Sequence, residues 1–143
     1  RRRKAPSYLI EGVTGLVAIH DAPLPTGDGA ILKCLNRYGA VFLRRLCALK
    51  YADLDAHAHT PEVPSRRQDV TDFETRMAVL AKTGCYTMRQ LAVNGADLME
   101  AGLPAGPAVG HTLHGLLGAV MEGRVPNERT ALLEEMHRMM QQP

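Results

Sequence analysis

The chain has 143 residues, 45% of them hydrophobic and 22% charged, with no Trp, 4% aromatic residues and a formal charge of +2. That length suits one domain, or two small ones, able to bury about two-thirds of the unfolded surface. No apolar run approaches the ~20 residues that span a bilayer, so no membrane partner is expected. Arg1 to Lys4 supply four of the cations and the remainder is slightly acidic, so nucleic-acid binding cannot be argued from overall charge. The basic N-terminus lacks the apolar core and small-residue cleavage site of a signal peptide. Cys34, Cys47 and Cys85 are isolated and odd in number. They read as buried thiols in a reducing, cytoplasmic setting, not as a zinc site or disulfide framework. A chain that opens on Arg1-Arg2-Arg3-Lys4 without an initiator Met reads as part of something longer, so a partner domain is expected.

In chain order, Ser7 caps a helix to about Ile19, with Leu9, Val13, Leu16 and Val17 on its apolar face. His20-Asp21 ends it, and Pro23 to Gly27 form a loop. Asp28 or Gly29 opens a helix with Ile31, Leu32 and Leu35 inward, closed by Gly39. A long helix follows from about Ala40 to Ala58, burying Phe42, Leu43, Leu46, Leu49 and Leu54 while Arg44, Arg45 and Lys50 decorate its other side. Thr60 to Pro64 read as a linker. Ser65 to Lys82 form the next helix, with Val70, Phe73, Met77 and Leu80 inward and Gly84 just past its end. Thr87 starts a short helix. Asn94-Gly95 make a turn, Ala96 to Ala101 a short helix, and Gly102 the left-handed residue beyond it. After Leu103 to Gly106 turn the chain, Pro107 stands at a first helical position, where its missing N–H is not needed. Asn127 caps a last helix burying Leu132, Leu133 and Met136. The expectation is an all-α fold of about seven helices: a helical body over 1–60, a linker at 61–64 and a helical tail over 65–143.

No complete catalytic constellation is present. His20-Asp21 is the pattern of HD-type metal phosphohydrolases, with Asp53 as a distant third ligand, but a further His is needed and residues 1–19 contain none. His57 and His59 lie two apart, a poor spacing for a metal on a helix. His111 and His114 share a helix face without a carboxylate or Cys at ligand spacing. Asp53 and Asp55 point to different faces. Phosphate-binding and nucleophile motifs are absent as well. What remains is the start of the helix at Pro107, whose exposed N–H groups offer a seat for an anion such as a phosphate, or a tight helix–turn–helix that only packs. Phosphate backbones can be held by such features with no base being read.

The ordered residues resemble a family. Leu16-Val-Ala-Ile-His-Asp21, Leu35-Asn-Arg-Tyr-Gly39, Leu49-Lys-Tyr-Ala-Asp53, Leu91 to Leu98, Gly106-Pro107, Gly110, Gly123 to Glu128 and Ala131-Leu-Leu133 are similar to the C-terminal part of bacterial class II tRNA nucleotidyltransferases, the CCA-adding enzymes of the Firmicutes type. The resemblance covers nearly the whole chain. It implies a helical body and tail that grip the acceptor and TΨC arms of tRNA beside a head and neck. The metal-binding Asp pair of the head and the nucleotide-reading motif of the neck are not found here. Mg and CTP or ATP are therefore expected in the head, with no cofactor in this chain and no nucleotide addition by it alone. The phosphate-facing candidates are Asn94, Gly95, Gly106, Pro107 and Gly110, with Arg89 and His111 nearby. Arg44, Arg45 and Lys50, and Arg66 and Arg67 at the linker, are secondary. Gly110, Gly115 and Gly118 also suit close helix packing. Two other readings stay open: a partial HD-type phosphohydrolase with metal at His20 and Asp21, and a helical protein-interaction module showing an exposed patch around Met136, Met139 and Met140.

Overall fold

A computed structural model of the chain describes residues 23–56 and 61–141. The expected helix from Ser7 to Ile19, the His20-Asp21 pair, and His57 and His59 lie outside the described residues. Within them the chain is all-helical, with helices α1 (Asp28–Ala56), α2 (Val63–Thr83), α3 (Gly95–Glu100), α4 (Pro107–Met121) and α5 (Arg129–Met140), and a 3-10 turn at Met88–Gln90. Five α-helices thus stand among the described residues where about seven were expected for the chain. The break expected at Gly39 is present: α1 comprises two helical stretches that meet at a kink there, where the angles are non-helical (φ 83, ψ 159). The start expected at Thr87 yields only the 3-10 turn.

α1 and α2 form the most extensive helix pair. α1 buries Ile31, Leu32 and Leu35 before the break and Leu43, Leu46, Cys47 and Leu54 after it. Leu49, expected inward, is 38% exposed because it falls outside that stripe. α2 buries Val63, Val70, Phe73, Met77 and Leu80 at three- and four-residue spacings. It starts at Val63, with Pro64 inside the first turn, where a proline is pre-organised for the helix. Gly84, just past its end, is extended (φ −87, ψ 167). A Cβ there would stand 2.8 Å from the backbone carbonyl oxygen of Leu80, which has no room to give way, so the turn requires glycine; Leu32 Cδ2, at 2.6 Å, is the movable end of a side chain.

The remaining elements close the core. α3 ends as the sequence suggests: Gly102 (φ 120) lets the Leu103 N–H donate to the Leu98 carbonyl (3.0 Å) and its own N–H to that of Met99 (3.1 Å). Leu98 and Leu103 are both buried beneath that turn. Leu116 of α4 and Leu132 and Met136 of α5 are fully buried, each such side chain contributing roughly 1.5–3 kcal/mol. Buried residues from both sides of 61–64 belong to one cluster running from Ile31 to Met136.

Asn127 does not cap α5 as expected. Glu128 occupies that position in an extended conformation. The Asn127 side chain instead reaches back, its Oδ1 accepting from the Ala92 N–H and its Nδ2 donating to the Gln90 carbonyl, both at 2.8 Å. Cys47 and Cys85 are buried and Cys34 partly so, all three free thiols. Burial pushes the Cys47 thiol up to about 11. No helix among the described residues is long and apolar enough to cross a membrane.

Candidate nucleic-acid interface

The two turns singled out as phosphate-facing differ in what they leave open. At the start of α3, Asn94 Oδ1 accepts from the Asp97 N–H and Asp97 Oδ2 accepts from the Asn94 N–H, both at 2.9 Å. This reciprocal cap satisfies two of the donors that a helix start would otherwise present. It also places a carboxylate there. Arg129, the first residue of α5, pairs with that carboxylate (Nη1 to Asp97 Oδ1, 2.8 Å) and with Glu100 (3.7 Å). The Arg129 guanidinium, then the Asn94 N–H, holds the Asp97 carboxyl below its ordinary value.

The start of α4 is open. Its N-cap, Gly106, has φ 135 and ψ −165, a region that side chains rarely enter, and it offers no side-chain cap. Pro107 follows in the first turn, as expected, and no acidic residue occurs there. Gly106, Pro107, Gly110 and His111 are all exposed. A Cβ on Gly110 would meet nothing within 4 Å, and the same holds for Gly118. Close packing therefore does not explain either glycine; of the three, only Gly115 has a neighbour, the flexible Met139 Cε at 2.8 Å. An exposed helical glycine costs about 0.5–1 kcal/mol relative to alanine, and here it leaves a low surface beside the Ala108 N–H; Pro107 has no N–H, and that of Val109 donates to the Gly106 carbonyl (3.1 Å).

These features adjoin. A Cβ on Gly95 would come within 3.1 Å of Val109 Cγ1, so the start of α3 lies against the first turn of α4. The 3-10 turn carrying exposed Arg89 also packs on α4. Arg89, Asn94, Gly95, Gly106, Pro107, Gly110 and His111 are thus carried on α4 and the two elements that pack against it.

The basic residues of α1 and α2 are more dispersed. Arg44 and Arg45 are exposed on α1. Lys50 and Arg66 line a cleft of about 600 Å³ between α1, α2 and the loop 23–26, together with Asp53, Asp69, Asp72 and Arg76. Cations and carboxylates alternate around it, which suits no simple anion. Arg67 is engaged by Asp55 and lies over the Tyr51 ring, 5.6 Å from its centre. Arg76 forks onto Asp28 (2.8 and 2.6 Å), joining α2 to the start of α1. Among the described residues no three His, Cys, Asp or Glu side chains could hold one metal ion. The apolar patch anticipated at the C-terminal end is not there: Met136 is fully buried and Met139 partly so, leaving Met140 exposed.

Sequence reasoning missed Asn127, Arg129 and Asp97. The spacing Asn94-x-x-Asp97, a capping-box pattern, carried a signal for the last of these. Arg129 and Asn127 act across about thirty residues of chain or more and left none.

Comparison with known proteins completes the description. The family described as tRNA nucleotidyltransferase domain 2 matches residues 61–136. The chain is similar to a CCA-adding enzyme of Levilactobacillus brevis, 47% identical over 47 residues, which are 33% of this chain and 12% of that protein. It is also similar to a CCA-adding enzyme of Lacticaseibacillus paracasei, 42% identical over 48 residues, 34% of this chain and 12% of that protein. The matched segment therefore spans only about an eighth of each relative. No solved structure matches.

Proposed function

Because the chain belongs to the tRNA nucleotidyltransferase domain 2 family, we propose that it is the tRNA-holding helical region of a cytoplasmic CCA-adding enzyme. In this reading it grips the acceptor and TΨC arms while a head and neck, carried elsewhere in a longer protein, add the 3′-terminal CCA with Mg and CTP or ATP. The observation that supports it is the start of α4. There an uncapped helix end without carboxylates adjoins exposed Gly110 and His111, the arrangement that lets a phosphate backbone come close to main-chain donors. Arg89 on the adjoining turn and the exposed Arg44 and Arg45 of α1 add long-range attraction for an RNA backbone. The mixed-charge cleft holding Lys50 and Arg66 contributes less, and Arg67 contributes least because Asp55 engages it.

The test is binding of a labelled minihelix of acceptor and TΨC stems across a salt series, read by fluorescence anisotropy. The expected result is binding at low salt that weakens steeply as salt rises, because phosphate contacts release counterions. A flat salt dependence, or no binding at low salt, overturns the proposal. In the same preparations, the chain incubated with CTP, ATP and Mg should leave a tRNA lacking its CCA end unextended.

A further inference from the structure

Resting on the reading that the start of α4 meets RNA, we propose that Arg129 is a positioning residue for that surface, acting through Asp97 instead of touching phosphate itself. Arg129 opens α5, yet its guanidinium is spent on α3, on Asp97 at 2.8 Å and Glu100 at 3.7 Å. Asp97 closes the cap on Asn94, and the next residue, Gly95, abuts Val109 in the first turn of α4. A continuous path of contacts thus runs from Arg129 through α3 to the helix start that presents Gly106 and Gly110. Two residues before Arg129, Asn127 holds the Gln90 and Ala92 backbone, next to Arg89, by two 2.8 Å bonds. Asn127 and Arg129 together thus hold the chain at Gln90, Ala92 and Asp97. Charge alone would class Arg129 with the RNA-binding cations. Its geometry points the other way, because both carboxylates already claim it and a phosphate would have to displace them.

The two roles predict opposite signs for one substitution. If Arg129 positions, Asp97→Asn breaks the brace without removing a cation, and minihelix affinity falls. Arg129→Met falls by a similar factor, about fivefold, and the double variant falls no further. The salt slope stays that of the unsubstituted chain in all three. If Arg129 instead binds phosphate, Asp97→Asn frees it and removes a repelling carboxylate, so affinity rises, while Arg129→Met flattens the slope by roughly one contact. Either of those results overturns the proposal. Arg129→Lys, which keeps the charge and one contact to Asp97, should recover part of the lost affinity; a lysine variant as weak as Arg129→Met also counts against it. Arg129 is exposed and Asp97 half-buried, so the melting temperatures should differ by no more than about 2 °C, and a larger loss would reassign the residue to stability. Unsubstituted chain that fails to bind at low salt overturns the tRNA reading itself, whereas bound chain with variants of unchanged affinity overturns only the positioning role.

Discussion

The starts of α3 and α4 are built from the same vocabulary, Asn-Gly in one and Gly-Pro in the other, and they end with opposite properties. The α3 start is self-sufficient: Asn94 and Asp97 satisfy each other's N–H groups and Arg129 neutralises the carboxylate. The α4 start satisfies none of its needs with side chains, since Gly106 and Pro107 have no side-chain acceptor to give. A helix N-terminus attracts an anion only to the extent that its donors are unclaimed and no carboxylate stands among them. The Val109 N–H is already given to the Gly106 carbonyl, so it is the missing carboxylate that makes the α4 turn a seat, and Asp97 that makes the α3 turn a fastening, although the two touch.

The largest expected effect separates them by charge. Gly110→Glu introduces a carboxylate where a Cβ meets nothing within 4 Å, so the variant should fold. Minihelix affinity at 0.1 M salt should fall about tenfold, as an anion added within one turn of the seat repels phosphate. Gly118→Glu is the matched control, because its Cβ also meets nothing. It lies about 12 Å further along the axis, beyond the ~10 Å screening length at 0.1 M salt. Equal losses for the two variants would remove the distinction between the α4 start and the general field of the protein.

A smaller effect, on stability this time, should mark the α3 start. Asn94→Ala deletes the cap, and losing such a residue costs about 0.5–2 kcal/mol. Urea denaturation should show that loss, while the salt slope of RNA binding stays unchanged because no phosphate contact has gone. A slope that flattened would mean the α3 turn is a second seat after all.

How far the sequence foretold this arrangement depended on the range of the interactions. Gly102 past α3 and Pro107 at the start of α4 were legible because caps and first turns are decided within a few residues. The resemblance to CCA-adding tRNA nucleotidyltransferases was legible too, and the family match bears it out over residues 61–136. Other expectations failed where a distant partner decides. Asn127 looked like an N-cap from its neighbours, yet the backbone of Gln90 and Ala92 claims its side chain. Gly110 and Gly118 looked like packing glycines because periodicity cannot tell an empty face from a crowded one. Of the candidate site, the open turn at Gly106-Pro107 could be read directly, whereas the brace behind it depends on contacts between α3 and α5 that periodicity does not encode.

The smallest effect sharpens the comparison through pH. Asp97 has a folded pKa below its ordinary value of 3.8, chiefly because of Arg129. The folded protein therefore binds this proton less readily than the unfolded chain does. Its contribution is fully present above the unfolded value and is lost as pH falls through the lower, folded one. Asp28, held by Arg76, and Glu122, held by Lys33 and then Arg124, are displaced in the same direction, so the acid limb of the stability curve sums several pairs. Comparing the protein with Asp97→Asn isolates one of them. The variant should be the less stable at neutral pH, and the gap should begin to close from about pH 5 downward and vanish in strong acid. The α4 start has no carboxylate in its first turn, and replacing exposed Pro107 by alanine should produce no such pH-dependent gap. A gap of constant size for Asp97→Asn would mean that its carboxylate is not what fastens α3 to α5.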